Sequence, residues 1–401
     1  MSTTHSHDRS SLPLAGCHIV ERSHSVAAAY AGRLLATLGA TVVMLEPEEG
    51  SPLRQAAPLL DDETSALFSY LAAGKRSLVC DLETGDGQRI LARELQQADI
   101  LLDDTPVSER RALGLDHEQL SERFPSLVHV SVLPFGATGP KADWDGEEIN
   151  LIHASGEGFL LPNGRSYELF PDRPPLKIYG HFAQYQGGCA AALSALSAWW
   201  AMSEFGGQYV DVSVQDAMLL CGAFALQRLG DGSLEHRATR SFRYGGVFEA
   251  KDGYVELLTL EDRQWNALVQ LLGNPGWAQD EALKDPLERS RRGADINAHI
   301  RAWMAARNVD TIVGNAQKLG VPAAKYRTPR EVVQGEHEFF RGLFSPCTLE
   351  NGQEVQMVVA PYRFQRTPLK MAGVPSIGEH SGRVPSIEDS SHQVVVKEGL
   401  S

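Results

Sequence analysis

The chain has 401 residues, of which 43% are hydrophobic and 22% charged, and its formal net charge is −14. That size and balance describe a globular protein of two or three domains with ample material for a core. The acidic excess argues against a nucleic-acid surface and against attraction to an anionic membrane, so an anionic ligand needs a local basic pocket.

In chain order, the polar stretch Met1–Ser11 lacks the apolar centre of a signal peptide and reads as a loose tail. Cys17–Val20 is a plausible first strand. Val26–Leu38 has helical apolar spacing and stops at Gly39, and Thr41–Glu46 follows as a second strand. Strand, helix, strand is the unit of a parallel sheet. Ser77–Leu82, Asp99–Leu102 and Leu127–Val132 add three strands, with a helix over Gly87–Gln97. An open doubly wound α/β sheet is therefore expected. No G-x-G-x-x-G follows the first strand, which argues against a standard dinucleotide site.

Pro174, Pro175 and Gly180 mark a loop, and Gly187–Gly188 reads as the opening of a buried helix over Cys189–Trp200. A loop that feeds a helix start suits a catalytic side chain or an anion. Tyr209–Val214 reads as a further strand and Gln215–Leu226 as a helix. From about Gly230 to Gly320, a short strand (Gly253–Leu258) and amphipathic helices suggest a second, smaller domain. β-like pieces such as Val355–Val359 follow, and a polar tail begins near Glu388. The five cysteines are scattered without a C-x-x-C pair, as in a cytoplasmic protein with reduced thiols. No run of 18 apolar residues suggests a membrane span.

Several stretches, in order, resemble the class III CoA-transferases, the CaiB/BaiF family. They are Gly39–Val43 with Glu46–Pro47 and Arg54, then Gly74–Leu78 leading to Asp81–Leu82, and Phe135–Pro140. Gly206–Ser213, Tyr244–Gly245 before Lys251–Val255, and Gly320–Pro322 complete the set, so the likeness covers about Leu14 to His380. The resemblance implies a flexible tail over 1–12 and a large Rossmann-like CoA-binding domain over 13–228. It implies a small α+β domain over 229–325 and a return to the large domain with a C-terminal tail over 326–401. It further implies two chains threaded as interlocked rings, no permanently bound cofactor, and coenzyme A or acyl-CoA with a carboxylic acid as substrates.

In that family an aspartate four residues before a helix glycine attacks the acyl-CoA thioester and forms a mixed anhydride. Counting back from Gly188 gives Gln184, an amide that has no anionic oxygen for that step. The resemblance thus points to a subunit without its own nucleophile, paired with an aspartate-bearing homologue, as in the succinyl-CoA:benzylsuccinate transferase type. Related racemases add a histidine near Gly146, where this chain has Glu147 and Glu148. Those carboxylates are candidate bases for an acyl-CoA racemase, lyase or hydrolase, and a helix start in solvent is the bland alternative. His153 and His181 flank the same region. For CoA the resemblance offers Arg54, Lys75, Arg76, Arg110 and Arg111. Against it, the family's Asn-Phe-x-Pro-Gly segment is here Asp104-Thr105-Pro106-Val107-Ser108, and Ala112 replaces an arginine. A non-catalytic CoA-binding homologue is the remaining reading.

Overall fold

In a computed structural model, six runs of aliphatic and β-branched residues form one parallel sheet. They are β1 (His18–Arg22), β2 (Thr41–Glu46), β3 (Arg76–Val79), β4 (Ile100–Asp103), β5 (Val128–Leu133) and β6 (Tyr209–Ser213). The strand order is β3-β2-β1-β4-β5-β6, and every pairing is parallel. β4 and β5 are buried along their whole length, as expected of strands covered on both faces. The structure describes residues 12–60, 62–161, 166, 169–221, 244–369 and 371–381. The tail Met1–Ser11, the end of the helix expected to reach Leu226 and the polar tail from Glu388 lie outside them.

The crossovers are α1 (Val26–Thr37), α2 (Ala66–Ala72), α3 (Gly85–Leu95), α4 (Val107–Arg110) and α5 (His117–Arg123). Between β5 and β6 come α6 (Glu148–Ala154) and the long α7 (Phe182–Phe205). α8 (Val214–Cys221) follows β6. Ser25 caps α1, accepting from the Ala28 N–H, and Thr84 caps α3 in the same way through Gly87.

α7 corrects the sequence reading. It begins at Phe182, so Gln184 is a first-turn helical residue and Gly187–Gly188 lie inside the helix. The glycines are there because neighbours come close. A Cβ on Gly188 would sit 2.7 Å from the Ala27 carbonyl oxygen of α1, and one on Gly187 would sit 2.7 Å from the Val214 side chain. Nor is α7 buried all round: Leu193 and Trp200, two turns apart, are 69% and 85% exposed.

The chain divides into two compact units. The first comprises Met1–Ser155, Tyr179–Cys221 and Gly342–Ser401, and contains the parallel sheet. In it the antiparallel hairpin β10 (Phe344–Thr348) and β11 (Glu354–Val358) is tied to α1 by Arg33, whose guanidinium donates to the Tyr70 and Val358 carbonyls. The end of the described chain covers edge strand β3. The Ser77 carbonyl accepts from the His380 N–H, Ser77 Oγ accepts from the Gly378 N–H, and Ser381 Oγ accepts from the Val79 N–H.

The second unit comprises Gly156–Ile178 and Gly222–Arg341, so it takes in a segment ahead of α7 as well as the region expected at 229–325. It has an antiparallel sheet of β7 (Gly246–Ala250), β8 (Gly253–Leu257) and β9 (Ala323–Lys325). Its helices include α9 (Asp262–Leu271), α10 (Pro286–Arg291), α11 (Gly293–Ala305) and α12 (Val309–Leu319). Phe248, Trp265, Ile296, Ile300 and Ile312 lie in its core.

The close approach at Gly188 gives a testable contrast. Ala is the better helix former by about 0.8–1.0 kcal/mol. At Gly188 the added methyl meets backbone, so Gly188→Ala should destabilise by about 1–3 kcal/mol. At Gly314 in α12 a Cβ has no neighbour within 4 Å, so Gly314→Ala should stabilise. Urea unfolding of both variants checks the opposite signs.

Candidate active site

A cavity of about 700 Å³ opens in the first unit. Its described walls include His24 and Ser25 beyond β1, Asp104 and Pro106 beyond β4, and Leu133 and Pro134 at the end of β5. The sheet order reverses between β1 and β4, so the cavity sits outside the carboxyl ends of the strands at the switch point, where open α/β sheets bind ligands. Asp143, Trp144, Asp145, Glu147, His181 and Gln184 complete the polar and aromatic part of the wall.

The entry into α1 organises this wall. Its N–H groups lack helical partners, and side chains take them up. The His24 and Ser25 N–H groups donate to Asp104 Oδ2 at 2.8 and 2.6 Å. The Ala27 N–H donates to Gln184 Oε1 at 3.3 Å. Asp104 therefore holds the two donors just ahead of α1, and Gln184 holds one in its first turn. Asp104 Oδ1 is buried and has no hydrogen-bond partner. Burial pushes the Asp104 carboxyl above its ordinary value, against the pull of His24 and the bonds from Ser25.

The Glu147–Glu148 pair separates into two roles. Glu148 is buried and accepts the Ala183 and Gln184 N–H groups at 2.8 and 3.2 Å. It is the anion at the N-terminus of α7. Each carboxylate oxygen of Glu148 thus accepts one of these N–H groups. Glu147 caps α6 in a reciprocal box with Asn150 and lines the cavity. His181 lines it too, with a buried Nδ1 that has no partner. His153 is exposed and is not among the described lining residues.

The basic residues fare unequally. Lys75 donates to both Glu21 carboxylate oxygens at 2.8 and 2.7 Å and to the Ala29 carbonyl at 2.8 Å, which uses all three ammonium protons and leaves none for a phosphate. Burial pushes the Glu21 carboxyl up and the Lys75 ammonium down, each against the pull of its partner. Gly32 makes room for the pair, since a Cβ there would overlap Glu21 Oε2. Arg54 forks onto the Glu46 carboxylate at 2.9 Å through Nε and Nη2, and bonds Glu350 and the Pro375 carbonyl. Although burial opposes ionisation, the bonds from Arg54, Ser77 and Ser51 hold Glu46 below the usual carboxylate range. Arg110 is an interior clamp, donating to the Thr105 carbonyl, Tyr209 OH and Ser131 Oγ. Arg76 is half-buried and Arg111 exposed, and no described ion pair includes either. Of these five residues, none is among the described residues lining the cavity. Among the described residues, no group of three or more His, Cys, Asp or Glu side chains could hold a metal ion.

The sequence reading singled out Gln184, Glu147 and His181 at this wall, and passed over His24, Asp143 and Asp145. It noted Asp104 only as a departure from the family's Asn-Phe-x-Pro-Gly segment. The available signal was position: His24 and Asp104 lie within two residues of the end of a parallel strand.

A doubly wound sheet with a switch-point cavity and a helix-borne amide on its wall defines the architecture. The sequence pattern of CoA-transferase family III matches residues 14–381, and the chain belongs to that family. It is 28% identical to the succinate–glutarate CoA-transferase of Agrobacterium fabrum, over 93% of this chain and 94% of that protein. It is 26% identical to the BbsE subunit of the succinyl-CoA:(R)-benzylsuccinate CoA-transferase of Thauera aromatica, over 88% and 89% of the two chains. The crystal structure of a CaiB/BaiF family protein from Brucella suis superposes with a TM-score of 0.80 at 27% identity, covering 92% of this chain and 98% of that one. No helix among the described residues is long and apolar enough to cross a membrane.

The Lys75–Glu21 pair supplies a stability test. Lys75→Ala strands a buried carboxylate and should cost about 3–5 kcal/mol. The double variant Glu21→Leu with Lys75→Met removes both charges and should recover most of that loss, read from urea unfolding midpoints.

Proposed function

We propose that this chain is an acyl-CoA-binding subunit of a heteromeric acyl-CoA:carboxylate CoA-transferase, in which an aspartate-bearing homologue supplies the nucleophile. The observation that carries the reading is the Gln184 amide on the cavity wall, bonded to the Ala27 N–H, at the position where the resemblance implies a carboxylate. The related BbsE protein is itself named as a subunit of a transferase. Without a carboxylate at 184, the thioester has no partner for the mixed anhydride at that position. Coenzyme A is then a substrate and not a resident group, and Arg76 and Arg111 are the family-matched cations left to meet its phosphates. The exposed Leu193 and Trp200 on α7 and Leu220 on α8 favour a partner chain, either a second copy or the aspartate-bearing homologue in an interlocked pair. Five free cysteines suit a reducing cytoplasm.

A second reading, acyl-CoA chemistry by a carboxylate of this chain, draws support from Asp104 and Glu147 on the same wall. One assay separates the two. The purified chain, incubated with succinyl-CoA and carboxylic acid acceptors, should give no transferase turnover and no CoA adduct by intact mass. Activity should emerge on co-expression with an aspartate-bearing homologue. Turnover by the pure chain with a CoA adduct on one of its carboxylates would establish the second reading instead.

Two more outcomes are expected. Light scattering at micromolar concentration should find an oligomer, and a monodisperse monomer would oppose the interlocked pairing. Gln184→Asp alone places a second carboxylate beside Asp104 at the start of α1, and like charges disfavour ionisation of both. The double variant Asp104→Asn with Gln184→Asp leaves one carboxylate there, served by the Ala27 N–H. It should trap CoA more readily than Gln184→Asp alone, measured by intact mass after incubation with acyl-CoAs.

A further inference from the structure

We infer that the Gln184 side chain donates a hydrogen bond to the carbonyl oxygen of a bound acyl thioester, so that the cavity prefers acyl-CoA to free CoA and to a free carboxylic acid. The inference rests on reading the cavity as an acyl-CoA site. It adds the form of the carrier that the site retains and the atom that selects it.

The orientation of the amide comes first. The Ala27 N–H can only donate, so the group that faces it at 3.3 Å is the amide oxygen, Oε1. Nε2, with its two protons, is therefore turned away from that N–H. Gln184 is 9% exposed and lines the cavity. Among the described residues Nε2 makes no hydrogen bond, and it is not sealed in the interior as Asp104 Oδ1 and His181 Nδ1 are. A donor on a nearly buried side chain that opens on a cavity is satisfied by an acceptor from a ligand. An amide does not titrate between acid and base forms, so the sign is the same at any working pH.

The second argument is that this donor stands by itself at the start of α7. The Ala183 and Gln184 N–H groups are taken by Glu148, and the Tyr185 N–H by the His181 carbonyl. Over residues 183–185 the side-chain amide is the donor left for a ligand. The third argument is charge. The described lining residues include the carboxylates Asp104, Asp143, Asp145 and Glu147 and no lysine or arginine. A free carboxylate would reach Nε2 against like charge, whereas a thioester carbonyl is neutral. Val26, Leu53 and Leu67 line the same cavity and give it an apolar flank for an alkyl group.

The exchange of a carboxylate for an amide thus turns the site from one pole of the thioester to the other. A carboxylate meets the electrophilic carbon, and an amide N–H meets the oxygen. No bond to the carbonyl carbon forms, and the thioester is held intact.

Calorimetric titration of the full chain with propionyl-CoA, S-propyl-CoA, free CoA and propionate tests the inference. S-propyl-CoA is a thioether that keeps the carbon chain and lacks the carbonyl oxygen. The native chain should bind propionyl-CoA about fivefold or more tighter than S-propyl-CoA or free CoA, with propionate weakest. With carbon-13 at the thioester carbonyl, isotope-edited infrared spectra should show its stretch move to lower frequency on binding. Gln184→Glu keeps an oxygen for the Ala27 N–H and puts an oxygen in place of the NH₂. Gln184→Met removes the donor and cannot titrate. Both variants should lose the preference for propionyl-CoA over S-propyl-CoA and lose the infrared shift. Equal binding of the two by the native chain, or a shift that survives in both variants, would overturn the inference. So would a native preference for propionate, which would place a carboxylate at the donor. If the native chain binds neither CoA nor any derivative of it, the reading of the cavity fails and the role of Gln184 fails with it. Binding of CoA species with neither the preference nor the shift removes the role of Gln184 alone.

Discussion

The contact between α1 and α7 at Gly188 sets the geometry of everything around the cavity. Because residue 188 has no side chain, the α7 backbone can approach the Ala27 carbonyl. One turn earlier on α7, that approach brings the Gln184 amide to the Ala27 N–H. The start of α7 is fixed in turn by Glu148, which holds its second and third donors. Two helix N-termini thus converge on one wall, and each has its own polar anchor. The anchors differ in kind: a carboxylate and an amide at α1, a carboxylate at α7.

Around this wall the buried charges are paired within the scaffold. Lys75 and Glu21 close the space beneath α1, Arg54 and Glu46 lock the end of β2, and Arg110 ties the residue after Asp104 to β5 and to the start of β6. Such pairs are expensive to desolvate and costly to break singly, so they fix the fold more than they stabilise it. This arrangement leaves the cavity acidic along its described wall. Lys75, Arg54 and Arg110 are committed to internal partners.

The sheet was legible because parallel strands announce themselves. Thr41–Glu46 matched the expected strand at both ends, and Tyr209 was the expected start of β6. The start of α7 was not legible. Gly187–Gly188 looks like a helix breaker in sequence, and only the neighbouring Ala27 carbonyl and Val214 side chain explain why glycine stands inside a helix. The pairing of Lys75 was hidden for a related reason: its partner Glu21 is 54 residues away in sequence. Next to a strand, a lysine looks like a ligand-facing cation until its acceptor is located. Glu148 likewise reads as an exposed helix start, because the N–H groups it caps belong to a helix that begins 34 residues later, at Phe182. Local pattern identifies elements, whereas which polar group is already satisfied is decided by tertiary contacts.

The covering of β3 has a consequence for synthesis. The strand is made early, yet the groups that close its edge, such as Ser381 on the Val79 N–H, come 302 residues later. At translation rates of about 5–20 residues per second, the nascent chain carries an open parallel edge for roughly 15–60 s. During that interval the second unit, whose residues after Gly222 are made within the gap, can complete itself ahead of the first. An unpaired strand edge held open for so long is a template for mispairing with other chains. Folding of the large sheet therefore depends on what shields β3 while the ribosome is still at work.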